Sequence, residues 1–325
     1  MREEVILNVE HLTVSFTTRR GTAKAVNDVS FQLHRGEILG LVGESGCGKS
    51  VTSKSILRIL PKEITTITGQ VMYQGKNILS LSDKELEAYR GNRISMIFQE
   101  PMVSLDPLFP IGDQLQEALL VHQKLSKKEA QQKILDVLTD VGIPSPEIRI
   151  KQYPFELSGG MRQRVMIAMA LLMHPDILIA DEPTTALDVT IQAQILRLLK
   201  EINEKYGTAI ILITHDLGVI AECADRVAVM YAGKIVEKAP VREIFNHPKH
   251  PYTQGLLQSI PTLEKQEGEL HSIPGMVPSI YHLPEGCAFC SRCPYRMACC
   301  EKGEVPVYRE GESQVRCWKQ GGHRE

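Results

Sequence analysis

The run GESGCGKS, Gly43 to Ser50, follows the short apolar stretch EILGLVG and precedes KSVTSKSILRIL, whose apolar residues recur at helical spacing. Strand, glycine-rich loop and helix in that order match the phosphate-binding pattern G-x-x-x-x-G-K-[ST]. Gly43, Gly46 and Gly48 let the backbone curl so that amides from Glu44, Ser45 and Cys47 through to Val51 face phosphate oxygens. The amino end of the helix adds partial positive charge. Lys49 is expected to reach the β and γ phosphates, and the Ser50 hydroxyl to sit on magnesium. Cys47 reads as a small residue of the loop, placed so that a thiol reagent would inhibit.

A second stretch, ILIADEP, supplies what hydrolysis needs. Its apolar positions bury a strand, and Asp181 and Glu182 emerge at the carboxyl end, where open α/β sheets bind ligands. Asp181 is expected to hold magnesium through water, and Glu182 to polarise the attacking water. Together these two stretches imply a nucleotide hydrolase. In LSGGMRQRV, Ser158, Gly159 and Gly160 open a helix as another anion-binding amino terminus. One nucleotide does not need two such nests, so the second makes sense as a cap on a nucleotide held by another subunit.

Positioning these residues takes a sheet. At 325 residues the chain can bury a full core and suggests one large domain with an extension, or two modest ones. Alternation from Val5 to Gln32, broken at TTRRG, predicts a small antiparallel sheet. SDKE at Ser82 and SKKE at Ser126 are capping boxes, and Ile111 to Val141 carries apolar residues at helical intervals. A helical insertion is therefore expected after the strand ISMIFQ. The core resumes with the helix GGMRQRVMIAMALLM, the strand ILIADEP, the helix TIQAQILRLLKEINEKYG and the strand AIILITHD. Ile191, Ile195, Leu198, Leu199 and Ile202 share one face of that second helix and should pack on the sheet. Strands alternating with helices predict a largely parallel α/β sheet. Beyond about Pro240 the pattern breaks into proline-rich connections and a cysteine tail.

That tail gathers Cys287, Cys290, Cys293, Cys299, Cys300 and Cys317 out of 8 cysteines; clustering of this kind in a reducing compartment favours a metal over disulfides. Four thiolates suit tetrahedral zinc or an iron–sulfur cluster, and either would staple a segment with little core of its own. The spacing of Cys287, Cys290 and Cys293 is that of ferredoxin-like ligation, which would make Cys290 a ligand. With 37 basic against 39 acidic residues the net charge is -2, so no bulk basicity recruits nucleic acid or anionic lipid. The start MREEVILNVE lacks the pattern of a secretory signal, and no apolar run approaches the roughly 18 residues that span a bilayer. If a membrane matters, another chain crosses it.

In order along the chain, GESGCGKS, FQEPMVSLDP, LSGGMRQR, ILIADEP, ALD and ITHD resemble the nucleotide-binding subunit of an ABC transporter, over about residues 5 to 240. The resemblance implies an α/β fold: an ABC-type P-loop ATPase core (1–240) with an antiparallel β subdomain and a helical insertion subdomain at about 100–158, followed by a cysteine-rich C-terminal extension (241–325). It implies ATP and Mg2+ as the bound species. Gln99 would be the loop glutamine that touches magnesium and water, Ser158 to Gly160 would contact the partner's ATP, Asp188 would lie at the dimer interface, and His215 would grip the γ-phosphate. Phe16 would stack on adenine, at a position where tyrosine is frequent in the family.

HPYTQGLLQSIP, His250 to Pro261, reads on its own as a turn and a short amphipathic helix stopped by proline. Together with GCAFCSRCPYRMACC and VRCW it is similar to the extension of ATPase subunits of dipeptide and oligopeptide importers, a group that also includes nickel importers. That resemblance assigns a 4Fe-4S cluster, with zinc as the alternative, to Cys287, Cys293, Cys300 and Cys317, leaving Cys290 and Cys299 spare. It implies an ATPase subunit of a peptide importer, peripheral at the cytoplasmic face of the cell membrane. The partners implied are a similar but non-identical ATPase subunit, two transmembrane permease subunits and, indirectly, an extracytoplasmic peptide-binding protein. Nickel import and a soluble ABC-type clamp on nucleic acid are the alternatives. The clamp is disfavoured because the chain has neither a long coiled-coil insertion nor two ATPase halves.

Overall fold

A computed structural model describes residues 4–99, 104–185, 187–260 and 272–321. Parts of three stretches singled out above, residues 100–103 of FQEPMVSLDP, Ala186 of ALD and Pro261 of HPYTQGLLQSIP, lie outside the described residues. The chain opens with β1 (Val5–Thr18), β2 (Gly21–His34), β3 (Ile38–Val42), α1 (Lys49–Ile56), β4 (Thr65–Tyr73) and β5 (Lys76–Asn77). Next come α2 (Asp83–Glu87), β6 (Ile94–Ile97), α3 (Ile111–Leu120), α4 (Lys127–Asp140), α5 (Pro146–Arg149), α6 (Gly159–Leu171), β7 (Ile177–Asp181), α7 (Val189–Tyr206) and β8 (Ala209–Thr214). The remainder is α8 (Leu217–Cys223), β9 (Arg226–Tyr231), β10 (Lys234–Pro240), α9 (Val241–Asn246), α10 (Pro251–Gln258), β11 (Val307–Glu310) and β12 (Ser313–Arg316). Two compact units divide these elements.

The first unit is built from Ser80–Ile213 with His34–Glu37. Here β6, β7 and β8 run parallel, Ile94 opposite Ile177 and Ile177 opposite Ala209, with every residue of β7 buried. A strand covered on both faces has no polar side, which is why ILIAD reads as a continuous apolar run. In α7, Ile195, Leu198, Leu199 and Ile202 are buried as the stripe required, Ile191 is half-buried, and Gly207 ends the helix at φ 66°, a left-handed turn that glycine adopts without strain. Both capping boxes form: Ser82 with Glu85 and Ser126 with Glu129. The helical pattern of Ile111 to Val141 is two helices, because Ser126 caps α4 after the break that ends α3.

The second unit takes Val5–Leu33, Ile38–Leu79 and Thr214 onward. The alternating amino-terminal pattern forms an antiparallel sheet in the order β2-β1-β4-β5, with Leu7 opposite Tyr73 and Phe16 opposite Thr65. Strand β3 pairs parallel with β9, which pairs antiparallel with β10. The extension continues this sheet. Strand β12 pairs with β10, Glu237 opposite Val315, and β11 pairs with β12. Four-residue strands so far along a cysteine-rich tail carry almost no periodic signal, and the sequence reading missed them.

Tyr231 at the end of β9, Tyr252 and Phe289 form an aromatic cluster with ring centroids 4.6 to 5.4 Å apart, each ring almost wholly buried. Edge and tilted contacts of this kind add to the burial of the rings themselves. The tail is thus welded to the unit through Phe289. Phe289→Ala should lower the unfolding free energy by about 3–5 kcal/mol, read by denaturant titration of the full chain; a loss below about 1 kcal/mol would mean that the tail folds apart from this core.

Candidate functional site

In the second unit the apolar strand β3 delivers the chain into a loop too crowded for side chains at two points. A Cβ on Gly43 would stand 2.2 Å from the Met230 carbonyl oxygen, and one on Gly48, at φ 105°, 2.5 Å from that of Ala25. Ser45 and Gly46 are exposed at the crest, Ser50 and Val51 are half-buried at the start of α1, and Cys47 is buried beneath. The Lys49 ammonium is buried and donates to the carbonyls of Gly43 at 2.8 Å and Glu44 at 3.1 Å. Main-chain oxygens there solvate a cation that water no longer reaches. His215 is exposed directly before Asp216, whose Oδ1 accepts from the Gly218 amide at 2.7 Å and caps α8. Phe16 is half-buried on β1.

Two contacts on this loop were invisible in the sequence. The Glu44 amide donates to the Tyr252 hydroxyl at 2.9 Å, across 208 residues. The Glu44 carboxylate accepts both guanidinium nitrogens of Arg292, at 2.8 and 3.0 Å, across 248 residues. Neither Tyr252 nor Arg292 carried a site signal, since an aromatic residue in a short helix and an arginine between cysteines are ordinary in themselves.

In the first unit Asp181 is buried at the end of β7 and Glu182 follows at φ 48°, a left-handed conformation for a side-chain-bearing residue. The Glu182 amide donates to the Ile213 carbonyl at 3.0 Å. Its Oε2 accepts from Gln99 Nε2 at 3.1 Å and from Thr185 Oγ1 at 2.9 Å. Two of the sequence candidates, Gln99 and Glu182, thus meet here, and Thr185 is an addition that only the fold supplies. Ser158 caps α6, its hydroxyl accepting from the Met161 amide at 3.3 Å. A Cβ on Gly159 would meet nothing within 4 Å, whereas one on Gly160 would stand 3.1 Å from Ile191. This helix start is therefore open at Gly159 and tight at Gly160. Asp188 is exposed and caps α7, accepting from the Ile191 amide at 2.9 Å.

The tail cysteines share a pocket. Cys287, Cys290, Cys293, Cys300 and Cys317 line it, and Cys299 does not. All are free thiols. Burial pushes the Cys287 thiol up to about 12 and raises those of Cys293, Cys300 and Cys317. The Cys287 amide donates to the Cys300 carbonyl at 2.8 Å, and Gly286 packs so closely on Cys300 that a Cβ would stand 2.3 Å from that oxygen. Among the described residues no group of three or more His, Cys, Asp or Glu side chains stands close enough to hold one metal ion. Nor is any helix there long and apolar enough to cross a membrane.

Known proteins resemble nearly the whole chain. The ABC transporter family profile matches residues 26–185, and that of the oligopeptide/dipeptide transporter C-terminal region matches residues 236–300. The dipeptide transport ATP-binding protein DppD of Bacillus subtilis is 55% identical, over 98% of this chain and 95% of its own. The oligopeptide transport ATP-binding protein OppD of the same organism is 51% identical, over 96% and 88%. Among solved structures, a dimeric ATP-binding cassette in a post-hydrolysis state with ADP and Pi superposes with a TM-score of 0.65 at 28% identity, over 73% of this chain and 99% of that one. This likeness accords with the α/β P-loop ATPase architecture and its antiparallel β subdomain.

The buried state of Cys47 corrects one expectation. Its thiol is 1% exposed and burial raises its pKa, so little thiolate is available to a reagent at neutral pH. At pH 7, iodoacetamide should label Cys47 more than about tenfold more slowly than Cys299, as followed by peptide mass mapping; comparable rates would show that the loop opens readily.

Proposed function

The chain belongs to the ATP-binding subunits of dipeptide and oligopeptide ABC transporters, and on that premise we propose which of its residues perform which step. It is the ATPase subunit of an importer of that class. ABC ATPase function is assigned to residues 1–240, with the helical insertion at about 100–158, and the staple to residues 241–325.

Lys49 leaves the Gly43 and Glu44 carbonyls to hold the β and γ phosphates of ATP, and the loop amides from Ser45 to Val51 cradle them, the Glu44 amide being engaged by Tyr252 instead. Ser50, Asp181 and Gln99 have the oxygen donors that suit Mg2+, which would neutralise charge on the phosphates. Phe16 stacks on adenine. Glu182 orients the attacking water and takes its proton as the water oxygen bonds to the γ-phosphorus and the bond to the ADP oxygen breaks. His215 donates to the γ-phosphate. One observation carries this reading: the Glu182 carboxylate at the end of β7 is held by two side-chain donors, Gln99 and Thr185, which fix its aim.

Two such subunits close on two ATP molecules. Ser158, Gly159 and Gly160 cap the γ-phosphate held by the partner, and Asp188 lies at the shared face; the amino end of α6 is open at Gly159, and a similar cassette forms a dimer. Hydrolysis places repelling anions where ATP joined the subunits. The partner is a similar, non-identical ATPase, and closure is passed to two transmembrane permease subunits at the cytoplasmic face, fed by an extracytoplasmic peptide-binding protein. Nucleic acid has no place in this scheme, since the net charge is -2.

The cysteine tail takes a 4Fe-4S cluster on Cys287, Cys293, Cys300 and Cys317. These four free thiols, Cys300 and Cys317 buried and Cys287 and Cys293 half-buried, line one pocket together with Cys290, which supports it. When bound, such a cluster supplies covalent cross-links to a segment of short turns.

Glu182→Gln should lower turnover by about 10²–10⁴-fold while ATP still binds, measured by phosphate release and nucleotide titration; retained hydrolysis would remove Glu182 from its role. Anaerobically purified protein should carry about four iron and four sulfide per chain, and Cys293→Ser should lose both and melt at lower temperature. Zinc in their place, or unaltered melting of the variant, would count against a structural cluster.

A further inference from the structure

Arg292 is placed as no surface arginine would be. It lies in the turn between Cys290 and Cys293, and its side chain is only 5% exposed. Nε donates to the Pro274 carbonyl at 3.0 Å, and one terminal nitrogen to the Ile273 carbonyl at 3.2 Å. The other terminal nitrogen lies 3.4 Å from the Tyr231 hydroxyl. With its neighbours so fixed, the fork closes on both oxygens of Glu44, the second residue of the phosphate loop. A planar guanidinium matches a carboxylate in this bidentate way, as a lysine cannot.

The loop has a problem that this contact solves. Glu44 carries a negative charge on the loop that must receive the most anionic part of the nucleotide, and the carbonyl of the same residue accepts from Lys49. Unpaired, that carboxylate would repel the γ-phosphate and compete for the Lys49 ammonium. Its amide is also taken, by Tyr252 of the extension. The carboxylate and the amide of Glu44 are thus both held from the extension, while its carbonyl accepts from Lys49.

We propose that Arg292 is a positioning residue for nucleotide binding: by neutralising and fixing Glu44, the cysteine-rich extension sets the affinity of the phosphate loop for ATP. The inference rests on the reading of Gly43–Ser50 as the nucleotide site. It deepens the role of the extension from a staple to a part of the ATP site. Because Arg292 is flanked by Cys290 and Cys293, whatever orders that turn also orders the latch.

The sign of the effect separates this from a merely structural contact. Arg292→Ala leaves Glu44 charged and unpaired and should raise the Kd of the full chain for mant-ATP with Mg2+ about tenfold. Glu44→Gln leaves Arg292 with an excess positive charge and should lower Kd about threefold. The double variant should return towards the parent value, with iron content unchanged throughout. A packing role predicts instead that both single changes weaken binding and that the double is no better; either result overturns the proposal, as does an unchanged Kd in Arg292→Ala. If Arg292→Ala does not fold, Glu44→Gln alone decides, since weaker binding there contradicts charge neutralisation. Lys49→Ala serves as the control: it should abolish binding, and ATP binding that survives it overturns the nucleotide reading and the latch together.

Discussion

A buried ammonium is the constraint around which the second unit is organised. Lys49 is 5% exposed, and a cation taken from water must find other oxygens or lose its charge. It finds the carbonyls of Gly43 and Glu44, which only a tightly curled loop can present. That curl requires Gly43 to pass against the Met230 carbonyl and Gly48 against that of Ala25, so two glycines are fixed by close approach.

The same constraint explains why the extension is not an appendage. Strand β12 adds to the sheet that contains β3, so the tail shares hydrogen bonds with the layer from which the loop springs. Phe289 fills the space between Tyr231 and Tyr252, and Tyr252 in turn reaches the loop amide. A segment of short turns has little apolar surface of its own to bury. Borrowing a core from its neighbour is how it becomes ordered.

In the first unit the corresponding expense is backbone strain. Glu182 sits at φ 48°, a conformation that costs a side-chain-bearing residue about 1–3 kcal/mol. The surroundings hold it there: its amide is bound by Ile213 and its carboxylate by Gln99 and Thr185. The strained residue follows directly on a fully buried strand that ends at Asp181.

The sequence alone determined whatever repeats or is punctuated. The phosphate loop between strand and helix, the buried run ending at Asp181, the two serine capping boxes and the apolar stripe of α7 all follow from local rules that act over a few residues. The split of Ile111 to Val141 into two helices was implicit in the Ser126 box, yet the longer periodicity masked it. Only the tertiary structure decided which distant groups meet. Thr185 on Glu182, Tyr252 and Arg292 on Glu44, and β12 on β10 join residues whose types are unremarkable where they stand in the chain. The burial of Cys47 was equally hidden, because exposure depends on what the rest of the chain lays over a residue. Local propensity is written in neighbours along the sequence, whereas charge pairing and desolvation are settled between neighbours in space.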